Sequence, residues 1–291
     1  MDKDRLAFLL ERKVWKDELW FKELDGMTPT FLWEDGAPGF DPSVNQRQPA
    51  LYFLPAHAGP PRGIVIVCAG GAFMYKSDDE AGHTAARFHA AGFQVAILDY
   101  RVYPYTQRDW LADGKRAIRY VRTHAAEWNV RPDKIAMLGY SAGGMLSGMC
   151  GTLFDYGDTD AEDPVERVSC RPDTAMLCYG AFCRASFPKE GTGFDRAAQQ
   201  EAASFAPEKN VRNDCPPFFM FQTLEDDPRN ILTMGMALAD RGILMEAHLF
   251  PTGAHGQGLY DGKHPSEPLD KHTVHWSELA VEWLEMLDFK E

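Results

Sequence analysis

This chain of 291 residues is short of cysteine, of unbroken apolar sequence and of clustered positive charge, and each shortage removes a class of protein. Six cysteines with no Cys-x-x-Cys pair are too few for a disulfide-stapled scaffold and offer zinc no ligand spacing. Cys68, Cys150 and Cys178 stand inside apolar runs and read as buried thiols. No apolar run approaches the roughly 18 residues that a membrane-crossing helix requires. Lysine and arginine number 30 against 43 aspartates and glutamates, a formal charge of −13, and no basic block is present to grip a phosphate backbone. The N-terminal residues Met1-Asp2-Lys3-Asp4-Arg5 are charged, and Glu11, Arg12 and Lys13 interrupt the apolar residues that follow. This is not the pattern of a secretory signal. The expectation is a soluble, cytoplasmic protein with no nucleic-acid or membrane partner.

What is present is an ordinary globular balance, 45% hydrophobic and 25% charged, in which short apolar runs alternate with helix-like segments. Residues 2–24 carry a broad apolar stripe, from Leu6 through Trp15 and Trp20 to Leu24, and read as a helix that covers the main domain, the site or a partner subunit. Leu51-Tyr52-Phe53-Leu54 reads as an edge strand stopped by Pro55. Ile64 to Cys68 and Gln94 to Leu98 are β-branched runs suited to strands buried on both faces. Helices are expected over 79–91 and 108–127, then a strand from Ile135 and a helix after residue 141. Further strands fall at Ala175–Tyr179, Phe218–Thr223 and Met245–Phe250, with helices at 230–241 and 271–288. Residues 184–215 show no clear period and read as a lid or insertion. Strand–helix alternation of this kind predicts an α/β fold, with one mostly parallel sheet covered by helices on both faces.

The chemistry centres on Gly139-Tyr140-Ser141-Ala142-Gly143, a Gly-x-Ser-x-Gly motif between an apolar run and a helix-like run. In that setting the motif forms a nucleophile elbow, with the serine raised above the sheet edge at a helix N-terminus. A serine hydroxyl needs a neighbouring imidazole to take its proton. Of nine histidines, His255 alone lies in a small-residue loop, Gly253-Ala254-His255-Gly256, just after a C-terminal strand. His83, His89, His124, His272 and His275 read as surface residues, while His57 and His264 stay open by type. The imidazole needs a carboxylate to orient it. Glu225-Asp226-Asp227 follows the strand at 218–223; Asp226 is the first choice and Asp227 remains the alternative acid. The amide of Ala142 can face an oxyanion, and Gly70-Gly71-Ala72, after the first buried strand, can supply the other donors.

On these residues the chain resembles the α/β-hydrolase superfamily, and within it the esterases that include acetylxylan esterases, hormone-sensitive-lipase-like enzymes and feruloyl-esterase-like (BD-FAE-type) domains. The matching pieces are Gly36-Ala37-Pro38-Gly39, Cys68-Ala69-Gly70-Gly71-Ala72-Phe73, Asp99-Tyr100-Arg101, Gly139-Tyr140-Ser141-Ala142-Gly143-Gly144, Ser169-Cys170-Arg171-Pro172-Asp173, Thr223-Leu224-Glu225-Asp226 and Gly253-Ala254-His255-Gly256. The resemblance implies Ser141, Asp226 and His255 as a triad and Gly71, Ala72 and Ala142 as oxyanion donors. The likeness covers roughly residues 35–288, and a single catalytic domain is expected over 35–291; the N-terminal helical extension expected over 1–34 has no counterpart in the family's core pattern. The resemblance also implies hydrolysis of small carboxylic esters, including acetyl groups on sugars, through an acyl-enzyme that uses no metal and no cofactor. The sequence departs from the family pattern at Ala69 and Ala72, where relatives carry His or Pro and glycine, and at Asp227-Pro228-Arg229, where a Val-Pro pair is usual. Two rival readings are a serine peptidase of the prolyl-oligopeptidase type and a non-catalytic binding protein on the same scaffold. A homo-oligomer is compatible with all three.

Overall fold

A computed structural model describes residues 26–44, 46–180, 203–263 and 269–290. The helix expected over 2–24, His264 and residues 184–202 of the expected lid lie outside them. Among the described residues, eight strands form one sheet in the order β1-β2-β4-β3-β5-β6-β7-β8. They are β1 (Thr30–Phe31), β2 (Ala50–Phe53), β3 (Arg62–Cys68), β4 (Gln94–Asp99), β5 (Val130–Tyr140), β6 (Thr174–Cys178), β7 (Phe218–Thr223) and β8 (Met245–Phe250). β1 and β2 run antiparallel to their neighbours, and every pairing from β4 to β8 is parallel. Among the described residues, five helices accompany them: α1 (Asp78–Ala90), α2 (Gln107–Thr123), α3 (Ala142–Thr152), α4 (Arg229–Ala239) and α5 (Trp276–Met286). The expected α/β architecture with a mostly parallel sheet is therefore the one observed.

The parallel strands read as continuous apolar runs because helices cover both of their faces. Side chains alternate between the two sides. Ala175 and Leu177 of β6 and Phe218 and Met220 of β7 join one buried cluster with Ile231, Met234 and Leu238 of α4. Their neighbours Met176, Cys178, Phe219 and Phe221 join the other, where Trp276 of α5 stacks on Phe221 with ring centroids 4.6 Å apart and meets Tyr140 edge-on. Each buried leucine, isoleucine, methionine or phenylalanine among them contributes about 1.5–3 kcal/mol.

Three expectations need correction. β2 is not the sheet edge, because β1 pairs outside it, so the sheet begins within the stretch 1–34. A two-residue strand is too short to leave a period. β5 begins at Val130 rather than Ile135: Pro132, Asp133 and Lys134 break the apolar run, yet Val130 already pairs with Arg62. The last helix starts at Trp276, after a 3-10 turn at Thr273–His275.

Candidate active site

β5 lies between β3 and β6, near the middle of the sheet, and delivers Ser141 to its C-terminal edge. Ser141 has φ 51° and ψ −112° and stands at the N-terminus of α3. A non-glycine residue with positive φ costs of order 1–3 kcal/mol, and surrounding bonds must hold it. Here the Ser141 amide donates to the Cys178 carbonyl at 3.0 Å, and the Met145 amide donates to the Ser141 carbonyl at 3.0 Å. The turn also needs backbone to pass against backbone. A Cβ on Gly143 would run into the carbonyl oxygens of Cys68 and Ala69 at the end of β3. Gly143→Ala is therefore expected to destabilise the protein by about 3 kcal/mol. A thermal melt should show this as a Tm lowered by about 6–12 °C.

Ser141, His255 and Asp226 arrive on different loops and meet. His255 Nε2 lies 2.8 Å from Ser141 Oγ, and His255 Nδ1 lies 2.6 Å from Asp226 Oδ2. A carboxylate can only accept, so Nδ1 carries the hydrogen and Nε2 turns its lone pair to the serine hydroxyl. In this arrangement the imidazole can take the serine proton. The loops that carry it are tied together: the Leu224 amide donates to the Phe250 carbonyl at 2.9 Å, Thr223 Oγ1 donates to the Gly253 carbonyl at 2.6 Å, and the Gly253 amide donates to Glu225 Oε2 at 3.0 Å. Burial pushes the Asp226 carboxyl up, but hydrogen bonds from His255, from the Asp227 amide and from Gln222, together with the His255 charge, outweigh this and hold it below its ordinary value. Asp227 turns the other way and pairs with Arg229 at 2.8 and 2.5 Å. His57, His89, His124, His248, His272 and His275 bond or stack elsewhere.

Gly70-Gly71-Ala72-Phe73 turns directly against the elbow; a Cβ on Gly70 would sit 2.8 Å from Ser141 Cβ. Gly71, Ala72 and Phe73 have φ of 128°, 56° and 57°. The Gly70 amide is committed to Glu80 Oε2 at 2.6 Å. Among the described residues, the amides of Gly71, Ala72 and Ala142 make no backbone hydrogen bond. The Asp99-Tyr100-Arg101 motif supports this loop: Tyr100 Oη donates to the Ala69 carbonyl at 2.6 Å, Lys76 is buried in an ion pair with Asp99, and Arg101 is fixed by Asp113 and the Pro38 carbonyl. Phe73 stacks on Trp110 with centroids 3.7 Å apart.

Three residues that sequence reasoning passed over sit around this site. Gln222 donates to Asp226 Oδ2 at 2.8 Å; the signal was a polar residue closing an otherwise apolar strand. Glu80 and Tyr179 lie beneath the site, and neither belongs to any motif.

The BD-FAE family model matches residues 51–172. The solved structure of an acetyl ester-xyloside bifunctional hydrolase from Caldicellulosiruptor lactoaceticus is similar at a TM-score of 0.82 and 33% identity, covering 91% of this chain and 97% of that one. Endo-1,4-beta-xylanase B of Butyrivibrio fibrisolvens is 29% identical over 210 residues, 67% of this chain and 32% of its own length. The acetylxylan esterase of Xylanibacter ruminicola is 25% identical over 223 residues, 71% of this chain and 43% of its own. The chain thus spans less than half the length of either of these curated relatives. Among the described residues no helix is long and apolar enough to cross a membrane.

Proposed function

The chain belongs to the BD-FAE esterase family of the α/β-hydrolase superfamily, and on that premise we propose that it is a serine carboxylesterase acting on small esters, acetyl groups on sugars or xylo-oligosaccharides foremost. The observation that carries the reading is the relay from Ser141 through His255 to Asp226, built on a strained elbow. Ser141 Oγ attacks the ester carbonyl as His255 takes its proton, while Asp226 holds the imidazole and steadies its charge. The amides of Gly71, Ala72 and Ala142 meet the oxyanion, each donor lowering the barrier by about 3–4 kcal/mol. His255 returns the proton to the leaving alcohol, and an acyl-serine remains. Water, activated by the same imidazole, then releases the acid.

The sugar-acetyl preference takes its support from the relatives, an acetylxylan esterase and an acetyl ester-xyloside hydrolase among them. A cytoplasmic location is part of the reading; the five described cysteines, all buried free thiols, support a reducing compartment. A panel of 4-nitrophenyl esters from acetyl to octanoyl, run beside acetylated xylo-oligosaccharides and a proline-linked amide, tests it. The acetyl ester is expected to exceed the octanoyl ester in kcat/KM by about tenfold or more, each poorly fitted group costing 1–3 kcal/mol. An octanoyl optimum with no release of acetate from the oligosaccharides would overturn the substrate class, and preferential amide cleavage would replace the esterase with a peptidase.

A further inference from the structure

The amides of Gly71 and Ala72 follow β3, and His255 follows β8, four positions away in the sheet. No strand pairing joins those two loops, yet both must be in register with Ser141 to within about half an ångström. Beneath them runs a buried chain of hydrogen bonds. Glu80 of α1 is 2% exposed. Its Oε2 accepts the Gly70 amide at 2.6 Å, and its Oε1 accepts the Tyr179 hydroxyl at 2.7 Å. The Tyr179 oxygen in turn accepts the amide of Gly258 at 2.8 Å. An amide can only donate, so the one phenolic proton is spent on Glu80. Burial drives the Tyr179 hydroxyl well above its ordinary value, which keeps that proton in place. The Tyr179 ring lies 5.0 Å, centroid to centroid, from the ring of His255.

We infer that Glu80 is a positioning residue whose carboxylate, acting through Tyr179, clamps the loop of the oxyanion amides to the loop of His255. The inference rests on the esterase reading of Ser141 and deepens it. Gly70 is the residue before the first of the two loop amides, and Gly258 is three residues beyond His255, so the clamp grips each loop beside its reacting group. A glutamine at position 80 keeps the shape but presents an amide nitrogen to a partner that requires an acceptor.

The test compares parent, Glu80→Gln, Tyr179→Phe and the double variant, by hydrolysis of 4-nitrophenyl acetate and by amide hydrogen exchange. Glu80→Gln is expected to lower kcat by about 30-fold with KM changed less than about twofold, within the roughly 100-fold that a 1 Å misplacement costs. Tyr179→Phe should lose about tenfold, and the double variant no more than the larger single loss, because both remove one clamp. Exchange at the Gly258 amide should rise about tenfold in Glu80→Gln, although Glu80 does not touch Gly258. Unchanged kcat in both variants, additive losses, or unchanged exchange at Gly258 would each overturn the clamp. Should Glu80→Gln fail to fold, Tyr179→Phe decides, with exchange at Gly70 as the distant readout. A parent no faster than Ser141→Ala would instead defeat the esterase reading, and exchange alone would then judge the clamp.

Discussion

Replacing Ser141 with alanine is expected to lower kcat for 4-nitrophenyl acetate by about 10⁵-fold or more, with Tm changed by less than about 2 °C. The two outcomes separate because of what Ser141 Oγ touches. Its side chain meets His255 Nε2, on a residue open to solvent. Losing the hydroxyl leaves no buried group unpaired, and the bonds that hold the turn are backbone bonds to Cys178 and from Met145. On the proposed mechanism the chemistry loses its covalent intermediate altogether, since an alanine has nothing to acylate. His255→Ala is expected to cost a similar factor, and the double variant little more than either single, because nucleophile and base act as one unit. A fluorophosphonate probe should label the parent and not Ser141→Ala. A variant that keeps more than about 1% of the parent rate would defeat covalent catalysis at this serine.

Ser141 and His255 are legible in the sequence, while Glu80 and Tyr179 are not, because of the range of each signal. Ser141 sits in a local signature: an apolar strand, two glycines at fixed offsets and a helix, all within a dozen residues. His255 stands out by its small neighbours. The central strands were legible because a parallel strand under helices is apolar on both faces, as Ile64 to Cys68 and Phe218 to Phe221 are. Glu80 has no comparable signal. It follows two aspartates in Asp78-Asp79-Glu80, a stretch that reads as the acidic first turn of a helix, which the dipole favours on its own account. Only the fold brings it to Gly70, ten residues back, and to Tyr179, ninety-nine residues on. Tyr179 likewise extends an apolar strand run, and its φ of 34° is a tertiary fact. Element ends failed for a related reason: Val130 belongs to β5 by its pairing with Arg62, while its own neighbours Arg131 and Pro132 argue against a strand.

The choice between two adjacent aspartates was the point at which the sequence stayed open, and it carries the second large effect. Asp226→Asn is expected to lower kcat by about 10⁴-fold, and Asp227→Asn to leave it within about twofold. Asp226 Oδ2 accepts from both His255 Nδ1 and Gln222 Nε2. An asparagine that turns its amide nitrogen to the imidazole stabilises the tautomer with hydrogen on Nε2, which faces Ser141 with a donor where an acceptor is needed. Asp227 spends its carboxylate on Arg229, whose side chain is 52% exposed, and a surface pair of this kind contributes little to stability. Its amide, which helps hold the Asp226 carboxylate, survives the change of side chain. The pH dependence of stability separates the two positions independently of rate. A carboxyl held below its ordinary value stabilises the fold above that value and loses the contribution as pH falls through the lower, folded one. Parent and Asp227→Asn should therefore lose this increment below about pH 4, the ordinary aspartate range. Asp226→Asn never has it, so the Tm gap between it and the parent should close with falling pH. If Asp227→Asn were the variant to lose about 10⁴-fold, and Asp226→Asn stayed within about tenfold of the parent, the carboxylate that orients His255 would be the other one.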